Sequence, residues 1–130
     1  MIVRAIDTNV AARFLLADHP EQTAAAIAII GSGVYIPLTV LLELGWLLTS
    51  RYRQSREVVA AALLNLIDLP SVQVAEVAIV RWALGRFGDG GDFADMLHLV
   101  AARDATAFAT FDRGVAIAAG PDSPVAVETL

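Results

Sequence analysis

Four carboxylates stand where an apolar stretch ends or is interrupted, and they constrain the fold more than any other feature of the chain. Asp7 ends the run Ile2-Val3-Arg4-Ala5-Ile6, and Asp112 follows Ala107-Phe108-Ala109-Thr110-Phe111. Glu43 is alone inside Val40-Leu41-Leu42-Glu43-Leu44-Gly45-Trp46-Leu47-Leu48, and Asp95 falls in the first turn of an expected helix. An ionised carboxylate is costly to bury unless it is paired or bound to a metal. The chain must therefore bury its apolar runs and leave these acids at their ends. A fold that gathers four acids from four segments would offer a ligand set for a hard cation such as Mg²⁺.

The pattern along the chain supplies such a fold. Strands are expected at Ile2–Ile6, Val34–Ile36, Val72–Val74 and Ala107–Phe111, with an edge strand at Val125–Val127. Helices are expected at Thr8–Leu16, Glu21–Ile30, from Thr39 to Arg53, from Ser55 to Leu66, at Ala75–Phe87, and from Asp92 to Arg103. Strands alternating with helices predict a mostly parallel sheet with helices on both faces. In such sheets the site lies at the carboxyl ends of the strands, where Asp7 and Asp112 fall.

Composition narrows the function. With 130 residues, 57% hydrophobic and 18% charged, the chain is expected to form one domain, residues 1–130, with a real core. No apolar run reaches the roughly 18 residues of a membrane span. The segment Met1-Ile2-Val3-Arg4 runs straight into an expected strand, unlike a signal peptide, so the cytoplasm is the expected compartment. There is no cysteine, which excludes disulfides and thiolate zinc sites. The net charge of −5 does not suit a general nucleic-acid coat. RNA would have to be held by local arginines and bridging metal, with Arg13, Arg81, Arg86 and Arg113 the first choices. All nine basic residues are arginine.

Each acid also has an ordinary structural use. Asp7 and Asp92 suit helix N-caps, Asp95 suits the positive end of its helix, and Asp112 suits a turn. Glu43 comes one position too late for a capping box from Thr39. Asp92 and Asp95, three apart, project within about 60° of each other on a helix. His98, one turn beyond Asp95, reads as structural, and His19 as incidental.

The motifs Asp7-Thr8-Asn9, Glu43 within Thr39–Leu48, Asp92-Phe93-Ala94-Asp95-Met96-Leu97-His98-Leu99 and Thr110-Phe111-Asp112-Arg113 resemble those of the PIN-domain ribonucleases. More narrowly, they are similar to VapC-type toxins of bacterial toxin–antitoxin pairs. Met96 departs from the small residue commoner in that motif. The resemblance implies a three-layer α/β/α sandwich with a mostly parallel sheet, and Mg²⁺- or Mn²⁺-dependent cleavage of RNA. It implies Asp7, Glu43 and Asp95 as the central metal-site acids, Asp112 as the fourth, and Asp92 as an auxiliary ligand. Thr8, Asn9 and Thr110 would orient them.

Two other function classes compete. A phospho-accepting receiver domain also gathers acids at strand ends, but it uses a lysine, which this chain lacks. A PIN-like scaffold would bind RNA or protein without cutting. Leu41, Leu44, Trp46, Leu47 and Leu48 crowd one expected helix, and their surplus suggests a homodimer or an antitoxin-binding groove. The alternative is a helix buried on two sides.

Overall fold

The computed structural model describes residues 2–130. Among them are seven α-helices and five short strands in the expected α/β/α arrangement. The elements are β1 (Arg4–Ala5), α1 (Thr8–Leu16), α2 (Pro20–Gly31), β2 (Val34–Tyr35), α3 (Leu38–Trp46), α4 (Arg56–Asp68), β3 (Val72–Gln73), α5 (Val77–Gly88), α6 (Phe93–Ala101), β4 (Phe108–Thr110), α7 (Arg113–Ala119) and β5 (Val127–Thr129). A π-helical turn, Leu47–Arg51, continues α3.

Every strand pair is parallel, as the alternating pattern requires. The strands form two ladders, ordered β1-β2-β3 and β4-β5, where one sheet was expected. In the first, Arg4 pairs with Val34 and Val34 with Val72. In the second, Phe108 pairs with Val127 and Thr110 with Thr129. The edge strand therefore begins two residues later than expected, and Val125 is instead a buried core residue. One contiguous core runs from Ile6 through Leu41, Leu63, Leu84 and Met96 to Val125.

Local chemistry explains most helix boundaries. Asp7, Ser55 and Asp92 accept backbone N–H bonds from Val10, Val58 and Asp95, which starts α1, α4 and α6 where expected. His19 is not incidental, because its Nδ1 accepts from the backbone N–H of Gln22 at 3.1 Å and caps α2. Thr39 is not a cap. Helix α3 begins after Pro37, whose φ of −62° leads into a helix without a side-chain bond. Helix α7 was not expected.

The apolar surplus of the third helix is mostly absorbed. Leu41, Leu44 and Leu48 are fully buried, and Leu42 and Leu47 pack half-buried against the core. Only Trp46 is left outside, 63% exposed. Helix α3 is thus buried on two sides, packing on α1 and on α6. Its contact with α6 depends on Gly45. A Cβ there would lie 2.7 Å from Cδ2 of Phe93, so only a residue without one permits this approach. The same contact sets α3, which carries Glu43, beside the start of α6, which carries Asp95.

Candidate active site

The five acids enter this region on four elements, α1, α3, α6 and α7. Asp7 follows β1 and caps α1, its Oδ1 accepting from the Val10 N–H at 3.0 Å. Thr8 is the one buried polar side chain among the described residues, and its hydroxyl donates to Oε1 of Glu43. That bond crosses from α1 to α3 and fixes one carboxylate oxygen of an otherwise exposed side chain. Asp7, Thr8, Asn9, Glu43, Trp46 and Leu47 line one cleft of about 300 Å³.

The second group lies where α6 and α7 begin. Oδ1 of Asp92 accepts from the Asp95 N–H at 2.9 Å. Oδ1 of Asp112 accepts from the Gly114 N–H at 2.8 Å, and the Asp112 N–H donates to the Thr110 hydroxyl at 3.0 Å. Asp95 is half-buried between them. Its pKa is raised above 3.8, first by burial and then by the negative charges of Asp92 and Asp112, while His98 pulls it down. Burial and like charge together outweigh the pull of His98.

All five side chains offer hard oxygen donors, a set suited to a divalent cation such as Mg²⁺ and not to a softer metal. The opposed ionisation of Asp95 fits a cation at this place, because bound positive charge would reverse it. Among the described residues, no three His, Cys, Asp or Glu side chains lie close enough to ligate one ion. Asp7 and Glu43 share one cleft, and Asp95 feels the charges of Asp92 and Asp112. Three of the five carboxylates are turned toward the first N–H groups of their own helices.

Trp46 borders two clefts. It lines the cleft of Asp7 and Glu43, and also a second cleft of about 410 Å³ that includes Ser50, Gln54, Asp92 and Phe93. A larger cleft of about 780 Å³ opens between α1 and α2, with Asp7 at its edge and Val10, Ala26 and Ile29 in its lining.

The arginines chosen from sequence are mostly committed elsewhere. Arg13 pairs with Asp18 at 2.8 Å, and Arg81 pairs with Asp68. Nε of Arg86 donates to the Ala118 carbonyl at 2.6 Å, which makes it an internal brace. Arg113 is exposed at the start of α7.

Two positioning residues went unread in the sequence. Gly45 had a signal, since an isolated glycine inside a helical pattern marks a close approach. Arg56 had none. Its guanidinium donates to the carbonyls of Phe87 and Gly91 and stacks over the Phe87 ring at 5.0 Å. It thereby anchors the loop that delivers Asp92.

No described helix is long and apolar enough to cross a membrane. Comparison with known protein families gives one match, to the family described as PIN domain, over residues 4–121. No curated protein and no solved structure matches the chain.

Proposed function

This chain belongs to the PIN domain family, and from that premise we propose that it is a Mg²⁺-dependent endoribonuclease, with Mn²⁺ as a substitute, and the toxin of a toxin–antitoxin pair. The family supports a nuclease-type activity, and PIN domains generally depend on a divalent metal. The observation that carries the reading here is Asp95, half-buried against the charges of Asp92 and Asp112.

In this reading Asp7, Glu43, Asp95 and Asp112 hold the cation, with Asp92 as an auxiliary ligand. When bound, the cation supplies an activated water at neutral pH and offsets charge on the phosphate oxygens. The protein's own work is positioning. Thr8 holds Glu43, the α1 cap holds Asp7, and Asp92 steadies the first turn of α6 beneath Asp95. A carboxylate of the site would accept a proton from the attacking water. Arg113, next to Asp112, is placed to meet a phosphate.

The remaining parts of the proposal rest on the resemblance to VapC-type toxins. The substrate is RNA in the cytoplasm, the active form is a homodimer, and a cognate antitoxin protein silences it. An arginine of the antitoxin would pair with Asp7, Glu43 or Asp95 and take the place of the cation. Residues 1–130 act as a single domain, which the single contiguous core supports.

The wild type is expected to cleave labelled RNA only with Mg²⁺ or Mn²⁺, and Asp7→Asn to lose that activity. One observation favours a rival. Among the described residues no three acids lie close enough to ligate one ion, as would suit a PIN-like scaffold that binds RNA or protein without cutting. Absence of metal-dependent cleavage by well-folded wild type would favour the scaffold.

A further inference from the structure

We propose that Trp46 is a stacking platform for an unpaired base beside the scissile phosphate. This rests on the nuclease reading of the acid clefts and deepens it.

The starting point is an exposed stripe along α3 and the π-helical turn. Thr39, Glu43 and Trp46 are all exposed, at α-helical spacings that keep them on one face of α3. Carboxylate and indole thus follow one another along a single surface, and Ser50 and Arg53, in and just beyond the π-helical turn, are exposed as well. A π-turn inside a helix often marks a functional place. Here it ends in Arg51, Tyr52 and Arg53, all exposed, with Arg53 at a φ of +52° that non-glycine residues rarely adopt. A tyrosine between two arginines is a composition suited to a nucleic-acid strand.

Trp46 has no structural reason to be outside. The leucines around it are buried or half-buried, whereas the indole is 63% exposed. It forms a wall of two clefts, one holding Asp7 and Glu43 and the other holding Ser50, Gln54 and Asp92. A phosphate drawn to the acids and their cation would set the adjoining base against that wall. Ser50 and Gln54 then provide hydroxyl and amide groups for the base edge. A second ring, Phe111, is 83% exposed immediately before Asp112. Each exposed ring therefore borders a carboxylate group. Aromatic stacking requires a base freed from its duplex partner, which selects single strands.

The test uses Trp46 as its own reporter. The chain has two tryptophans, and the buried Nε1 of Trp82 has no hydrogen-bond partner among the described residues. Trp82→Phe removes that group and leaves Trp46 as the single indole. A short unstructured oligoribonucleotide, with Ca²⁺ replacing Mg²⁺ to hold off cleavage, is expected to quench Trp46 emission saturably. The same RNA in a duplex should leave the emission unchanged. By anisotropy of labelled RNA, Trp46→Ala should weaken binding roughly tenfold or more, and Trp46→Phe much less. Circular dichroism checks that both variants fold. The proposal falls if quenching is absent at saturating RNA, if the duplex quenches equally, or if Trp46→Ala binds as tightly as Trp46→Phe. It also falls if Trp46→Ala leaves RNA binding intact but abolishes self-association in sedimentation, which would make this face a protein interface. Quenching with no Mg²⁺-dependent cleavage would instead overturn the nuclease reading and leave the platform standing.

Discussion

Asp95 shows how a single residue links charge to stability. Its folded-state pKa is raised above 3.8 by burial and by two neighbouring acids. The ionised form is therefore disfavoured by folding. That penalty is fully present above the raised value and fades as pH falls toward 3.8. Asp95→Asn is thus expected to raise the Tm of the metal-free protein by a few degrees at neutral pH, and the gain should shrink in acid. Thermal melts across pH check the sign; an unchanged or lower Tm at neutral pH would contradict the charge argument. Thr8 makes the complementary case. Thr8→Val removes the hydroxyl that holds Glu43 and should cost about 1–2 kcal/mol in stability and about tenfold in metal affinity. Urea unfolding and metal titration separate the two losses. Asp92→Ser keeps a cap but not a carboxylate. If Asp92 only caps α6, stability and cleavage both persist; if it also serves the metal, cleavage falls while the fold remains.

At the scale of elements, the contact between α3 and α6 governs how close the two acid groups come. Gly45→Ala would gain helix propensity of about 1 kcal/mol. Overpacking against the Phe93 ring should cost more, about 1–3 kcal/mol. The variant is expected to have a lower Tm, and cleavage should fall further than stability as Glu43 and Asp95 are pushed apart. A Gly45→Ala protein with full activity would detach this contact from function. The elements also show what a sequence reading reaches. The start of α1 was legible because Asp7 is a cap residue; its end closes on Ala17 in the αL conformation, which carries no sequence signal of its own. Ser55 and Asp92 were legible as caps for the same local reason. Helix α7 was not, because Arg113-Gly114-Val115-Ala116-Ile117-Ala118-Ala119 is short, and its cap Asp112 has the signature of a turn residue. The start of β5 escaped because pairing with β4, a distant contact, sets its register. The candidate acids were legible from their positions against apolar runs. Which of them share a cleft was not, since that follows from helix packing.

For the whole molecule, the acidic balance makes metal the first partner to look for. Mg²⁺ or Mn²⁺ is expected to raise Tm through linkage to the folded state. Asp95→Asn should remove most of that shift, as read by calorimetry. If Asp7→Asn and Asp95→Asn both keep the full shift, the cation sits elsewhere. Because Arg13 and Arg81 are paired with carboxylates and Arg86 braces α7, few of the chosen arginines remain for phosphates, and RNA affinity should depend only shallowly on salt.

The division of the acids between the two ends of the chain also bears on timing. Asp7 and Glu43 belong to the first third of the sequence, and Asp92, Asp95 and Asp112 to the last. A chain growing on the ribosome would present the first pair long before the second group emerged. Under the nuclease reading, a nascent chain is then harmless to the RNA around it until Asp112 has emerged. Ribosome-bound chains stalled before Asp92 should leave labelled RNA intact, whereas chains released at full length should cut it.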